Sequence, residues 1–163
     1  MSAPDHSLLL DVNVLLDNYL PNRRHSAEAR TLVALALSKG VTLYYAITSL
    51  ADFFYLVSAS LKREVRAEKG VVAEGDVRAI QRIAWGVVDN LSNIATAVGA
   101  DESDRWVAAR SRALHADLED NLVVAAARRA QVEYLVTNDA SLIGHAAVPC
   151  VSCSTAVAWL EEL

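Results

Sequence analysis

Charge is scarce in this chain of 163 residues. Asp, Glu, Lys and Arg make up 21% of it, against 53% apolar residues. That balance excludes a disordered chain and predicts a well-filled core. Positive charge is the scarcer sign, with 15 Lys and Arg against 20 Asp and Glu, a net charge of −5. A protein that grips nucleic acid through a broad positive field is therefore excluded. One that borrows its local positive charge from a bound cation is not. No apolar run approaches the roughly 18 residues needed to span a bilayer. Residues 1–6 lack the basic flank of a secretory signal, so a cytoplasmic protein with no membrane association is expected.

Cysteine is almost missing. Cys150 and Cys153 form a C-x-x-C pair. Redox motifs of this spacing place the first thiol at a helix N-terminus, where its pKa falls. Here the pair follows Pro149 and straddles an expected short strand, which argues against redox chemistry. Two cysteines are too few for a structural zinc site, and His115 and His145 lack ligand spacing. Internal repeats, low-complexity stretches and linkers are also absent, and the length is that of a single domain.

What is present is an alternation of short apolar strands with longer helical stretches. Strands are expected at residues 7–11, 41–46, 93–98, 132–137 and 148–151. Helices are expected at 25–39, closed by Gly40, and at 48–67, 76–91, 103–114 and 117–130. The 76–91 helix is strongly amphipathic, with Val77, Ile80, Ile83, Ala84, Val87 and Leu91 on one stripe. Residues 69–75 read as a turn, and Ser154 is expected to cap a short final helix. Strands separated by helices of this length pair in parallel, with both sheet faces covered. The fold class is thus α/β with a central parallel sheet. Ligands bind such sheets at the carboxyl ends of the strands, where strand order reverses.

Acids stand at those ends. Asp11 follows Leu8-Leu9-Leu10, with Asn13 two residues on to bond it or the next helix. Asp139 follows the strand that ends Leu135-Val136-Thr137-Asn138. If the two strands are neighbours, these carboxylates converge. As structural residues, Asp11 would be an N-cap and Asp139 a turn former. Asp120 opens an Ala-rich helix in Asp117-Leu118-Glu119-Asp120. It shares a face with Val123 and Val124, so its charge needs a partner. Asp117 doubles as a candidate N-cap, and Glu119 is expected to point away into solvent. Asp52 lies early in the second long helix, among aromatic residues. Clustered carboxylates raise one another's pKa, a cost proteins accept mostly around a cation. Oxygen-only donors suit Mg²⁺ or Mn²⁺, whose retained waters serve phosphodiester hydrolysis.

Together these segments resemble the PIN-domain family of metal-dependent ribonucleases, which includes the VapC-like toxins of bacterial toxin–antitoxin pairs. The anchors are Leu9-Leu10-Asp11-Val12-Asn13-Val14-Leu15-Leu16-Asp17, Asp120 opening its helix, and Leu135-Val136-Thr137-Asn138-Asp139. The resemblance implies a three-layer α/β/α fold around a five-stranded parallel sheet. It implies metal ligands or close support at Asp11, Asp52, Asp120 and Asp139, with Asp117 as a conditional fifth and Asn13 and Thr137 orienting them. It further implies an RNA substrate, a homodimer, and a cognate antitoxin whose tail covers the site. The second acid of the family is usually glutamate. Asp52 is shorter by about 1.5 Å, one C–C bond, which leaves it to reach a metal through a water.

Candidate phosphate contacts are Asn22, Arg23 and Arg24, and the run Lys62, Arg63, Arg66 and Lys69, although the latter, interleaved with Glu64 and Glu68, reads first as a solvated helix face. Two other functions compete. A haloacid dehalogenase-type phosphatase needs a second aspartate where Asn13 stands, and a later lysine, whereas none follows Lys69. A catalytically inactive PIN-like binding domain is the other alternative, favoured by Asp52 and by the acidic net charge.

Overall fold

The first strand explains the layers. The computed structural model describes residues 6–163, and in it β1 (Ser7–Leu10) buries all three of its leucines. Side chains alternate across a strand. Leu8 and Leu10 therefore enter one core and Leu9 the other. β2 (Thr42–Ala46) alternates likewise, with Leu43 and Tyr45 in the first core and Ala46 in the second. β3 (Thr96–Val98), β4 (Tyr134–Val136) and β5 (Cys150–Val151) complete one sheet of order β3-β2-β1-β4-β5, parallel throughout.

The first core is covered by α1 (Val12–Tyr19), α2 (Ser26–Ser38), α3 (Leu50–Lys69), α4 (Glu74–Ile94) and α8 (Cys153–Glu162). The second is covered by α6 (Leu118–Ala130) and α7 (Ala140–His145), with α5 (Glu102–Ser111) packed on α6. This is the three-layer α/β/α arrangement around five parallel strands expected from the sequence. The chain runs outward from β1 through β2 to β3, then returns to the opposite side of β1 for β4. The strand order therefore reverses between β1 and β4.

Several boundaries differ from expectation. α4 begins at Glu74, because the Asp76 side chain accepts from the Ala73 backbone N–H at 3.0 Å and so fixes the helix start earlier. It runs on to Ile94, which shortens the strand expected at 93–98. Ile83 is 51% exposed, since α4 packs on α3 and the end of β3 without a further layer outside it. α7 is an element the sequence pattern does not mark, and Asp139 is its N-cap. The last helix is capped by Ser152, whose hydroxyl accepts from Thr155 N–H at 3.2 Å, and not by Ser154. Cys150 lies on β5 and Cys153 opens α8. Both are free thiols pushed up to about 12, first by burial, so neither is activated for redox work. Among the described residues no helix is long and apolar enough to cross a membrane.

Candidate active site

β1 and β4 pair with Leu10 opposite Val136, and the Asp11 N–H extends the ladder to the Val136 carbonyl at 3.0 Å. Asp11 is thereby delivered to the carboxyl edge at the switch point. It is only 3% exposed. One carboxylate oxygen accepts from the Val12 N–H at 2.7 Å, which caps α1. The other accepts from the Thr137 hydroxyl at 2.8 Å. N-cap and site residue, posed as alternatives from the sequence, are compatible here. Thr137, fully buried, also accepts from the Asp139 N–H at 3.1 Å. One hydroxyl thus ties the two strand ends together.

Burial pushes the Asp11 pKa up to about 6, against the pull of its bonds to Thr137 and Val12. The charges of Asp120 and Asp139 push in the same direction as burial. Asp139 caps α7, its Oδ1 accepting from Ser141 and Leu142 N–H at 2.8 and 3.4 Å. Asp120, in the first turn of α6, accepts from His115 Nε2 at 2.5 Å. The partner its charge required is therefore a histidine that sequence spacing did not recommend. The Asn121 amide donates to the His115 carbonyl at 2.8 Å and fixes that turn.

Glu119 departs from the solvated side chain expected of it. It is half-buried. Its Oε1 is buried without a hydrogen-bond partner among the described residues. Burial raises its pKa, followed by the charges of Asp52, Asp11, Asp117 and Asp120. Glu119 therefore joins Asp52, itself exposed in the first turn of α3, to the Asp11 side of the cluster. The signal was available in the sequence: four and seven residues on from Glu119 stand Val123 and Ala126, both buried. Asp117 is exposed and caps α6, accepting from the Asp120 N–H at 3.1 Å. Asn13 is exposed on α1 and lines a cleft instead of bonding Asp11, whose bonds go to Val12 and Thr137.

The donor set is carboxylate oxygen, the chemistry of a hard divalent ion. Among the described residues, no three His, Cys, Asp or Glu side chains are gathered closely enough to hold one ion directly. An ion that keeps several waters, as Mg²⁺ does, suits such wider spacing. The unpartnered Glu119 oxygen is the kind of buried acceptor that a hydrated cation satisfies. The hydroxyls of Thr48 and Ser49, in the 3₁₀ turn Ile47–Ser49 that packs on α6, are likewise buried without partners.

Solved structures share the fold, three of them as follows. VapC20 of Mycobacterium tuberculosis, a toxin that cleaves the sarcin–ricin loop, is 12% identical, with a TM-score of 0.58 over 84% of this chain and 93% of its own. VapBC2 of Rickettsia felis, bound to a DNA fragment from its promoter, is 13% identical, with a TM-score of 0.58 over 90% and 98%. PAE2754 of Pyrobaculum aerophilum is 17% identical, with a TM-score of 0.59 over 100% and 94%. At these identities the likeness is one of fold. No curated protein matches the chain. The family model described as PIN domain matches residues 7–141, from the first residue of β1 past Asp139, and on that match this chain belongs to the PIN-domain family.

Proposed function

We propose that this protein is a metal-dependent endoribonuclease that hydrolyses RNA phosphodiester bonds with Mg²⁺ or Mn²⁺, and that it acts as the toxin of a toxin–antitoxin pair. The observation that carries the reading is the buried Asp11 carboxylate at the β1–β4 switch point, facing the charges of Asp120 and Asp139. Such a cluster costs free energy without a cation. Asp11, Asp120 and Asp139 would hold the ion, with Asp52, Asp117 and Glu119 supporting it in part through water. When bound, the ion supplies an activated water and stabilises charge on the phosphoryl and leaving oxygens. The chain's own part is positional. Val12 N–H and the Thr137 hydroxyl fix both oxygens of Asp11, and His115 fixes one of Asp120. The helix start at α7 holds one oxygen of Asp139 and leaves the other for the site.

Family membership supports the nuclease. The fold likeness to a sarcin–ricin loop cleaving toxin and to VapBC2 supports the toxin role, and with it a cognate antitoxin as partner. A homodimer in the cytoplasm is part of the same proposal. Purified protein should bind Mn²⁺ by calorimetry and degrade RNA in a metal-dependent way, and Asp11→Asn should lower the rate by roughly 10²–10³, the scale on which one electrostatic stabiliser acts. The activity is abandoned if neither metal binds and Asp11→Asn leaves degradation unchanged. Expression alone should arrest growth, with Asp120→Asn relieving it; absence of arrest removes the toxin role only. Two observations favour a second reading, a PIN-like binding domain without catalysis: Asp52 is short and exposed, and no three donors among the described residues are gathered for direct ligation.

A further inference from the structure

Beside the acidic cluster lies a cleft of about 450 Å³. Asn13, Asn138 and Asp139 line it from the cluster's side. Arg23, Arg24 and His25 line it from the loop that joins α1 to α2. The phosphate contacts suggested by the sequence in this loop do not contribute equally. The Asn22 amide donates to Glu64 at 3.1 Å and is engaged with α3. Arg23 donates from Nε to Asp17 at 2.6 Å, and the Asp17 side chain is 4% exposed. Arg23 is thus committed to holding the loop against α1. Arg24 is exposed, lines the cleft, and makes no ion pair among the described residues.

We propose that this cleft is a phosphate subsite for the RNA backbone beside the cleaved bond, with Arg24 as its principal contact and the Asn13 amide as a second donor. The inference rests on the nuclease reading and adds the substrate contact that reading lacks. A phosphodiester strand approaching an acidic cluster on a protein of net charge −5 needs fixed positive charge close by. The loop supplies it on a rigid base, because the buried Asp17 neutralises Arg23 and anchors it. An arginine offers a planar fork of donors that matches two phosphate oxygens. Asn138 is already fixed, its Oδ1 accepting from the Cys153 N–H at 3.2 Å, so it shapes the cleft floor more than it binds.

The test is fluorescence anisotropy of a short labelled single-stranded RNA, titrated with the full-length protein over a salt series. Arg24→Ala should weaken binding on the order of tenfold, the scale of one charge-assisted hydrogen bond. The slope of log K against log salt should become shallower by roughly 0.7, the increment that one neutralised phosphate adds on a single strand. Arg24→Lys should restore the slope but only part of the affinity. Arg82→Ala, on the exposed side of α4, is the charge-matched control and should change neither. An Arg24→Ala protein with unchanged affinity and slope overturns the subsite, as does an equal loss in Arg82→Ala, which would mean a diffuse field. The outcomes separate from those of the activity. RNA bound through Arg24 but never cut with Mn²⁺ removes the nuclease and keeps the cleft, whereas metal-dependent cleavage that ignores Arg24 does the reverse.

Discussion

Burying the Asp11 carboxylate beside Asp120 and Asp139 is unfavourable for its charged form, and the consequence is measurable in metal-free protein. Its pKa in the fold is pushed up to about 6 from an ordinary value of 3.8. Below about pH 4 both folded and unfolded chains hold the proton, and Asp11 does not favour either. Between about pH 4 and 6 the unfolded chain loses its proton while the folded one keeps it, so stability falls as pH rises. Above about 6 the loss is complete, of order 2–3 kcal/mol. In EDTA, thermal melts should show Asp11→Asn more stable than the parent at pH 8, with the difference gone at pH 4. The amide oxygen still accepts from the Val12 N–H, and the amide NH₂ in the place of the second oxygen can donate to the Thr137 hydroxyl oxygen, so a destabilised variant at pH 8 would contradict the burial argument. The Thr137 hydroxyl acts on the same carboxylate. Thr137→Val should reduce metal affinity by about 10–100-fold, the usual cost of losing such an orienting bond, read by Mn²⁺ calorimetry.

At the scale of elements, the first turn of α6 gathers three acids for different reasons. Asp117 stops the backbone N–H of Asp120 from being left bare, which is capping work. Asp117→Ala should cost about 1 kcal/mol in a urea melt. Asp117→Ser should restore most of that stability, and it should retain metal binding if capping is the whole role. Loss of Mn²⁺ affinity in the serine variant would make Asp117 a ligand. Glu119→Gln should raise the melting temperature of the metal-free protein at neutral pH, because it removes a charge that burial and the charges of Asp52 and Asp11 disfavour, and it should weaken metal binding. The strands, the α3 and α6 helices and the positions of Asp11 and Asp139 past the ends of β1 and β4 are legible because short apolar runs and helical spacing report burial directly. Glu119 was misread because α6 is buried on more than one side, with Val123, Val124, Ala125, Ala126 and Ala127 all inside. With so wide a buried stripe, Glu119 and Asp120 both fall at its margin and are half-buried alike. His115 was invisible because its bond to Asp120 crosses a turn and follows no helical period. The α7 helix, only six residues long, was too short for periodicity to mark.

For the molecule as a whole, the Asp17–Arg23 pair links the first helix to the loop that borders the cleft. Arg23→Ala would leave Asp17 a buried carboxylate without its partner. The cost should be roughly 2–3 kcal/mol, below the 3–5 of a fully buried pair because Arg23 is 34% exposed. Arg23→Ala/Asp17→Asn should recover much of it in a chemical melt; no recovery would place the loss elsewhere than in the pair. The sheet order has an effect of another kind. Asp11 and Thr137 are 126 residues apart in sequence, yet one hydrogen bond joins them. The first strand leaves the ribosome long before the strand that completes its edge, and contacts of such separation form late. An incomplete chain that stops before β4 carries Asp11 and Asp120 but has no Thr137 or Asp139 to finish the arrangement. Such a chain acquires its full set of acids only once β4 and the start of α7 have emerged and folded.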